Sequence, residues 1–586
     1  MASLRAYGKV NDADQERLEA GRKTRKRITI ISLSAIILVG VIVAAVVGTS
    51  AGKFKNGGSG GGTQSLSTSI KAVCDVSLYP ESCYSSLAPL YNNSSQINPE
   101  ELFKLSVRVA MSELSKASQY FSADNGGFSC IIRDKMWVAA LESCGELLDL
   151  ALDHLNSTSS SSWDMGGGGL ALPEAVDDLR TWLSAAGTYQ QTCIDGFENA
   201  TGNLKATVFQ YLKNSTEFTS NSLAIINEFS ILANTLNLNG LRRRRRLMSV
   251  RSNYDDMPHW LSAKDRKLLQ STNSIKIKAD AVVAKDGSGK YKTIGDALKA
   301  VPDNSKKRFV IYLKKGIYKE NVRVEKTKWN VMMVGDGMDA TLVSGTLNVV
   351  DGTPTFSTAT FAVFGKRFIG RDMGFRNSAG AIKQQAVALM STSDQSVFYR
   401  CSIDAFQDTL YVHSNRQFYR DCKIYGTVDF IFGNSAVVLQ NCTILPKVPM
   451  LGQQNTITAQ GKFDPNQNTG ISIQNCTIWP AGNLSSIQTF LGRPWKNYST
   501  TVYLQSMMGS LIDPKGWLPW TGNTAPDTIF YVEFQNFGPG ASTKNRVKWK
   551  GLKNITSKQA SKFTVTSFIN GNKWISAAGV TYKPGV

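Results

Sequence analysis

Four segments of the C-terminal half share one pattern, a polar residue followed by Cys, a variable residue and Ile. They are Arg400-Cys401-Ser402-Ile403, Asp421-Cys422-Lys423-Ile424, Asn441-Cys442-Thr443-Ile444 and Asn475-Cys476-Thr477-Ile478. The first three recur about every twenty residues, the length of one coil of a parallel β-helix. A lone coil cannot bury its apolar face. Stacking buries it, and equivalent positions then form inward-facing ladders. Runs such as Phe309–Leu313 and Asn330–Gly335 are apolar and too short for helices, which fits the same reading. An all-β parallel β-helix is therefore expected over residues 271–586. Cysteines stacked in this way can pair in more than one manner; Cys422–Cys442 is the preferred bridge and Cys442–Cys476 the rival.

Residues 70–236 carry a different period. Asn98-Pro99-Glu100-Glu101 has a capping residue, a proline for the first turn and acids for the positive helix end. Leu102, Leu105, Val109, Met111 and Leu114 then recur at helical spacing, as do Leu179, Trp182, Leu183 and Ala186 further on. Amphipathic helices joined by polar loops predict an all-α antiparallel four-helix bundle. Cys74–Cys83 would staple a short hairpin and Cys144–Cys193 would tie two helices, leaving Cys130 over. His154 stands alone on a helix and reads as a packed or surface histidine rather than a ligand.

The remaining segments are connectors. Residues 28–48 hold an uncharged run long enough to span a bilayer, with Arg22-Lys23-Thr24-Arg25-Lys26-Arg27 before it. The positive-inside bias leaves residues 1–27 as a cytosolic basic tail and makes the run a transmembrane signal anchor, with a long signal peptide as the competing reading. Residues 49–69 form a Gly/Ser linker, where Gly57-Gly58-Ser59-Gly60-Gly61 matches an esterase elbow only by composition. Nine cysteines and the sequons at Asn92, Asn156, Asn199, Asn214, Asn497 and Asn554 fit a glycoprotein of the secretory route. No CxxC or HxH spacing occurs, so no structural zinc is expected. Residues 237–270 are a basic linker with Arg245-Arg246-Leu247-Met248 and Arg266-Lys267-Leu268-Leu269, two sites suited to a processing protease. Beyond an anchor, that arginine run is not a nucleic-acid site.

The net charge is +21, and nearly all of the excess lies in residues 271–586. Such a surface suits a polyanion, here an acidic polysaccharide. Only His413 lies in this half, with no nucleophile elbow near it, so a Ser-His-Asp or Cys-His triad is not expected. Asp408 and Asp429 are better placed, one coil apart, so stacking would set their carboxyls on adjacent rungs. Like charges at that spacing drive two pKa values apart: one acid stays protonated while the other is an anionic nucleophile. Arg493 would hold the anion, Gln385 and Gln407 would donate to an oxyanion, and Trp495 would offer a flat face to a sugar ring. Together they suit hydrolysis of an ester.

At these residues the chain resembles the plant pectin methylesterases. The motifs that carry the resemblance are Gly316-Ile317-Tyr318-Lys319-Glu320, Gln385–Leu389, Gln407–Leu410, Asp429–Gly433 and Leu491–Trp495. It implies a right-handed β-helix, with Asp408 as proton donor, Asp429 as nucleophile and Gln407 at the oxyanion. Thr355, Gln385, Arg493 and Trp495 would then line the substrate site. The implied reaction takes methyl-esterified homogalacturonan to pectate and methanol with no metal or cofactor. The bundle resembles pectin methylesterase inhibitor and invertase inhibitor domains at Cys74–Cys83, Leu141-Glu142-Ser143-Cys144 and Trp182–Ala186 leading to Thr192-Cys193. That layout implies an inhibitor-like pro-region, removed by proteolysis before the enzyme reaches the cell wall. The rival readings are a polygalacturonase or lyase on the same fold and an inhibitor-type binding module.

Overall fold

The computed structural model describes residues 70–90, 99–121, 134–161, 172–198, 200, 203–235 and 278–586. The C-terminal half winds into three parallel sheets of ten, seven and eight strands, the arrangement of a parallel β-helix. The repeated pattern has a local cause. Arg400, Asp421, Asn441 and Asn475 all sit at left-handed φ of 53–56°, turning the chain from one sheet to the next. Asn and Asp tolerate that conformation better than most residues. The Cys and Ile that follow then point inward, and all eight are almost fully buried. Ile403, Ile424, Ile444 and Ile478 pair rung upon rung. In the Gly316–Glu320 motif, the Glu320 carboxylate accepts the free N–H groups of Ile294 and Gly295 at the start of a short helix that covers one end of the coil.

The expected Cys422–Cys442 bridge is absent: Cys401, Cys422, Cys442 and Cys476 are all free buried thiols. In a parallel stack, equivalent Cβ atoms lie about one strand spacing apart, ~4.8 Å, whereas a disulfide wants roughly 3.8 Å. Each sulfur instead faces backbone carbonyls, Cys422 Sγ that of Arg420 at 3.3 Å and Cys442 Sγ that of Gln440 at 3.5 Å. Cys476 Sγ accepts the Cys442 N–H at 3.3 Å, so the rival pair is not bonded either.

Helices precede the coil: α1 (Pro80–Leu87), α2 (Pro99–Gln119), α3 (Lys135–Ser160), α4 (Leu172–Asp195) and α5 (Leu204–Thr235). α2 packs on α3 and α5, and α4 packs on the same two. Asp134 caps α3 by accepting the Met136 N–H at 2.8 Å. The two expected disulfides of this region form, Cys74–Cys83 and Cys144–Cys193, the second joining α3 to α4. The helical core continues without a break into Phe356, Met390, Tyr411 and Phe432 of the coil. Those residues belong to the face of the seven-stranded sheet and its edge. The anchor at 28–48, both protease sites, Cys130, Asn92 and Asn199 fall outside the described residues. Among those described, no helix is long and apolar enough to cross a membrane. Asn156, Asn214, Asn497 and Asn554 are exposed.

Candidate active site

Strands Leu410–Val412 and Ile431–Gly433 pair with Leu410 opposite Ile431. Asp408 and Asp429 each lie two residues before those partners, so register sets them on adjacent rungs. Both have left-handed φ, 61° and 50°, which turns the side chains out of the strand rhythm. The Asp408 N–H donates to Val428 O at 3.1 Å, tying the two turns together. Their side chains enter a cleft of about 280 Å³ that Thr355, Gln385, Gln407, Arg493 and Trp495 also line. All seven residues expected at the site therefore meet in one place.

The two acids differ in their surroundings. Arg493 donates Nε to Asp429 Oδ1 at 2.9 Å and Nη2 to Oδ2 at 2.7 Å. Thr456 Oγ1 adds a third donor, 2.6 Å from Oδ1. Burial works against the Arg493 charge, but the bond to Asp429 and the nearby carboxylates raise its pKa overall. Asp408 has no such partner among the described residues. Burial first, and then the charge of Asp429, push its carboxyl well above the usual range, with Arg493 opposing in part. One carboxylate is ion-paired to the guanidinium, and its neighbour is the one whose pKa is raised.

Gln385 and Gln407 stand on neighbouring rungs as an isolated bridge, with the Ala386 N–H donating to Gln407 O at 3.2 Å. Gln385 Oε1 is buried and has no hydrogen-bond partner among the described residues. Trp495 lies against Phe432 and Trp520, with centroids 6.2 and 6.5 Å away. Gly461 makes room for it, because an added Cβ would meet the Trp495 ring at 2.8 Å. The Arg493 guanidinium rests 4.4 Å from the Trp520 ring centroid.

Sequence reasoning missed Thr456, Phe356, Phe432 and Trp520. Trp520 closes a Gly516-Trp517-Leu518-Pro519-Trp520 run whose aromatic content was a usable signal. Thr456 was hidden because its coil is longer than the twenty-residue period. It lies opposite Asp429 only once the insertion before Asn455 is known.

Helices also line the cleft. Met136, Trp137 and Ser143 of α3 and Thr192 and Asp195 of α4 line the same space. Ser143 and Ser357 share a hydrogen bond of 2.9 Å, and Lys496, next to Trp495, bonds Asp195 at 2.6 Å. Arg416, 5% exposed, is held between Asp394 of the coil and Asp178 of α4, each at 2.6 Å. Two histidines meet here as well. Thr192 Oγ1 lies 2.9 Å from His413 Nε2, Asn415 Nδ2 lies 3.1 Å from His154 Nε2, and Tyr189 packs between the rings. No cluster suited to a metal ion occurs among the described residues.

Residues 280–572 match the family described as Pectinesterase, and residues 68–225 match Plant invertase/pectin methylesterase inhibitor. The putative pectinesterase/pectinesterase inhibitor 24 of Arabidopsis thaliana is 54% identical, over 99% of both chains. The probable pectinesterase/pectinesterase inhibitor 46 of the same plant is 56% identical, over 99% of this chain and 100% of its own. Among solved structures, the pectin methylesterase from carrot is 53% identical, with a TM-score of 0.52, over 53% of this chain and 99% of its own.

Proposed function

The chain belongs to the pectinesterase family of carboxylic ester hydrolases, and from that premise we propose that Asp429 and Asp408 hydrolyse the methyl esters of homogalacturonan. The observation that carries this reading is the unequal pair itself, Asp429 ion-paired to Arg493 and Asp408 buried with no side-chain partner among the described residues. Asp429 attacks the ester carbonyl and forms an acyl-enzyme anhydride. Gln407 and Gln385 donate amide N–H groups to the oxyanion; loss of one such donor costs roughly 10²–10³ in kcat in comparable sites. Asp408 gives its proton to the departing methoxide, then takes one from the water that resolves the anhydride. Thr355, Arg493, Trp495 and the Trp520 face hold the polyuronate.

The test follows both products. Methanol release from methyl-esterified pectin with undiminished chain length is the expected result. New reducing or unsaturated ends without methanol would favour the polygalacturonase or lyase reading.

We further propose the finer layout: a right-handed coil at residues 271–586, an inhibitor-like four-helix bundle at 70–236, and an anchor at 28–48 that holds the precursor in the membrane. A protease acting at Arg245–Met248 or Arg266–Leu269 would free a glycosylated enzyme for the cell wall. In the closed form α3 and α4 stand where the polysaccharide must lie, so the helical domain is the cleft's own inhibitor.

Closure then depends on pH through the buried histidines. Burial lowers the His413 pKa to about 3 and also lowers that of His154, against ordinary values near ~6.5. For His154, the Leu150 carbonyl, Asp394, Asn415 and Asp153 oppose the shift. A histidine that is neutral when buried favours closure fully above pH ~6.5, and that favour is lost as the pH falls toward the buried value. As the pH falls below ~6.5, His413 weakens closure by up to about tenfold per pH unit, and His154 acts in the same direction. Gel filtration of linker-nicked protein is expected to show two tightly associated pieces at pH 7.5 and separation near pH 5, with H154Q flattening the difference. Equal association at both pH values would remove the histidines from this role.

A further inference from the structure

The group that has no part in the mechanism so far, yet touches its nucleophile twice, is Thr456. We propose that its hydroxyl is the positioning residue that fixes the Asp429 carboxylate and leaves Oδ2 as the attacking oxygen. The inference rests on Asp429 being the nucleophile.

Thr456 belongs to strand Asn455–Gln460, one coil beyond Asp429. Its Oγ1 accepts the backbone N–H of Asp429 at 2.8 Å and lies 2.6 Å from Oδ1 of the same residue. A hydroxyl has one proton. With a lone pair already engaged by that N–H, the proton points to Oδ1, where a carboxylate accepts it and a carboxylic acid O–H would compete for the place. The arrangement therefore favours the anion on two counts: it supplies a donor and aims it. It also braces the left-handed turn at Asp429, whose φ is 50°. The side chain is 1% exposed, so water cannot substitute for it.

The two carboxylate oxygens end up unequal. Oδ1 receives Thr456 Oγ1 and Arg493 Nε, two donors from different elements. Oδ2 receives the guanidinium alone, from Nη2 at 2.7 Å and Nε at 3.1 Å. Both oxygens have two contacts, but the Arg493 Nε–H is shared and its branch to Oδ2 is the longer one, so Oδ2 keeps the freer lone pair and is the attacking oxygen. Its lone pair forms the C–O bond while the carbonyl π pair moves to the oxyanion. Collapse then expels methoxide, which takes the Asp408 proton and leaves as methanol. Hydrolysis of the anhydride by water returns the carboxylate, and the proton removed from that water restores Asp408. Thr456 neither gains nor loses a proton in the cycle.

The experiment compares T456V with T456S, both prepared as the full chain, nicked in the linker and assayed for methanol release against wild type. T456V is expected to lower kcat by 10- to 100-fold with KM within about threefold, and to move the acidic limb of kcat/KM to higher pH. T456S, which keeps the hydroxyl, is expected to stay within about threefold of wild type with an unmoved limb. Should T456V not fold, T456A against T456S reads the same hydroxyl with the methyl removed from both. Equal losses in the hydroxyl-bearing and hydroxyl-free variants, a change in KM alone, or an unmoved acidic limb would each overturn the proposal. D429N in the same assay separates the premise from the inference. Several per cent of wild-type activity there refutes the nucleophile, whereas a D429N protein below that level beside a fully active T456V refutes only the role of Thr456.

Discussion

Asp429→Asn is expected to reduce methanol release by at least roughly 10⁴-fold, the scale on which removal of a covalent nucleophile acts in other hydrolases. The substitution is nearly isosteric, and an amide oxygen can still accept from Thr456 and Arg493, so the turn and the strand pairing should persist. What is lost is the negative oxygen that attacks. A second effect goes with it. The charge of Asp429 is one of the two causes that push up the Asp408 carboxyl, and Arg493 is the one that pulls it down. Neutralising Asp429 leaves the guanidinium without an anion, so Asp408 is expected to ionise at lower pH than in wild type. Infrared spectra across pH would follow this through the protonated carboxyl band, present in wild type and weakened in D429N. Asp408→Asn keeps the nucleophile but removes the proton donor, and a loss of about 10²–10⁴ is expected. A D429N protein that retained several per cent of wild-type turnover would exclude Asp429 as the attacking group.

Most of this site was readable before any fold was known, because one period governed both the scaffold and the chemistry. The polar-Cys-x-Ile repeat gave the coil, and the coil put Asp408 under Asp429. Arg493 and Trp495 follow a strand two coils beyond that of Asp429, and their pairing with the acids depended on motif resemblance more than on spacing. Two things were not legible. The disulfide expectation failed because spacing says which cysteines stack, not whether Cβ atoms one strand apart approach closely enough to bond. Thr456 escaped because the loop Lys447–Gln454 lengthens its coil and breaks the period on which the other residues were found. The helices were recognisable from their 3.6-residue pattern, and Leu179, Leu183 and Ala186 are indeed buried. Nothing in that pattern said which helices would meet the cleft. That depends on complementary polar residues such as Asp178 and Thr192, which on a helix surface look like any solvated positions.

Removing the helical domain is expected to raise turnover on polymeric pectin by at least roughly tenfold over the uncut chain. Activity in the uncut form scales with the fraction of molecules whose cleft is open, and each ~1.4 kcal/mol of closure energy costs tenfold. The contacts favour a closed form. An apolar core is continuous across the junction, and Arg416 is clamped between acids from both domains. Lys326 bonds Asp149 and Asp153 of α3, and Lys496 holds Asp195 beside Trp495. Exposed members of this set contribute little, about 0–1 kcal/mol, and are screened by salt. The burial of Arg416 makes its bridge the stronger one, and its Asp394 partner would keep the guanidinium paired after the domains part. The variant D178A/D195A therefore loosens closure without leaving a bare buried cation, and the uncut double variant should gain several-fold in activity. Nicking the linker and then separating the helical domain at low pH should gain more, because separation frees the whole apolar face as well. The comparison is methanol release at pH 7 by uncut chain, uncut double variant and nicked chain freed of its helical domain. Uncut chain as fast as the freed enzyme would mean that α3 and α4 leave the cleft open to the polymer.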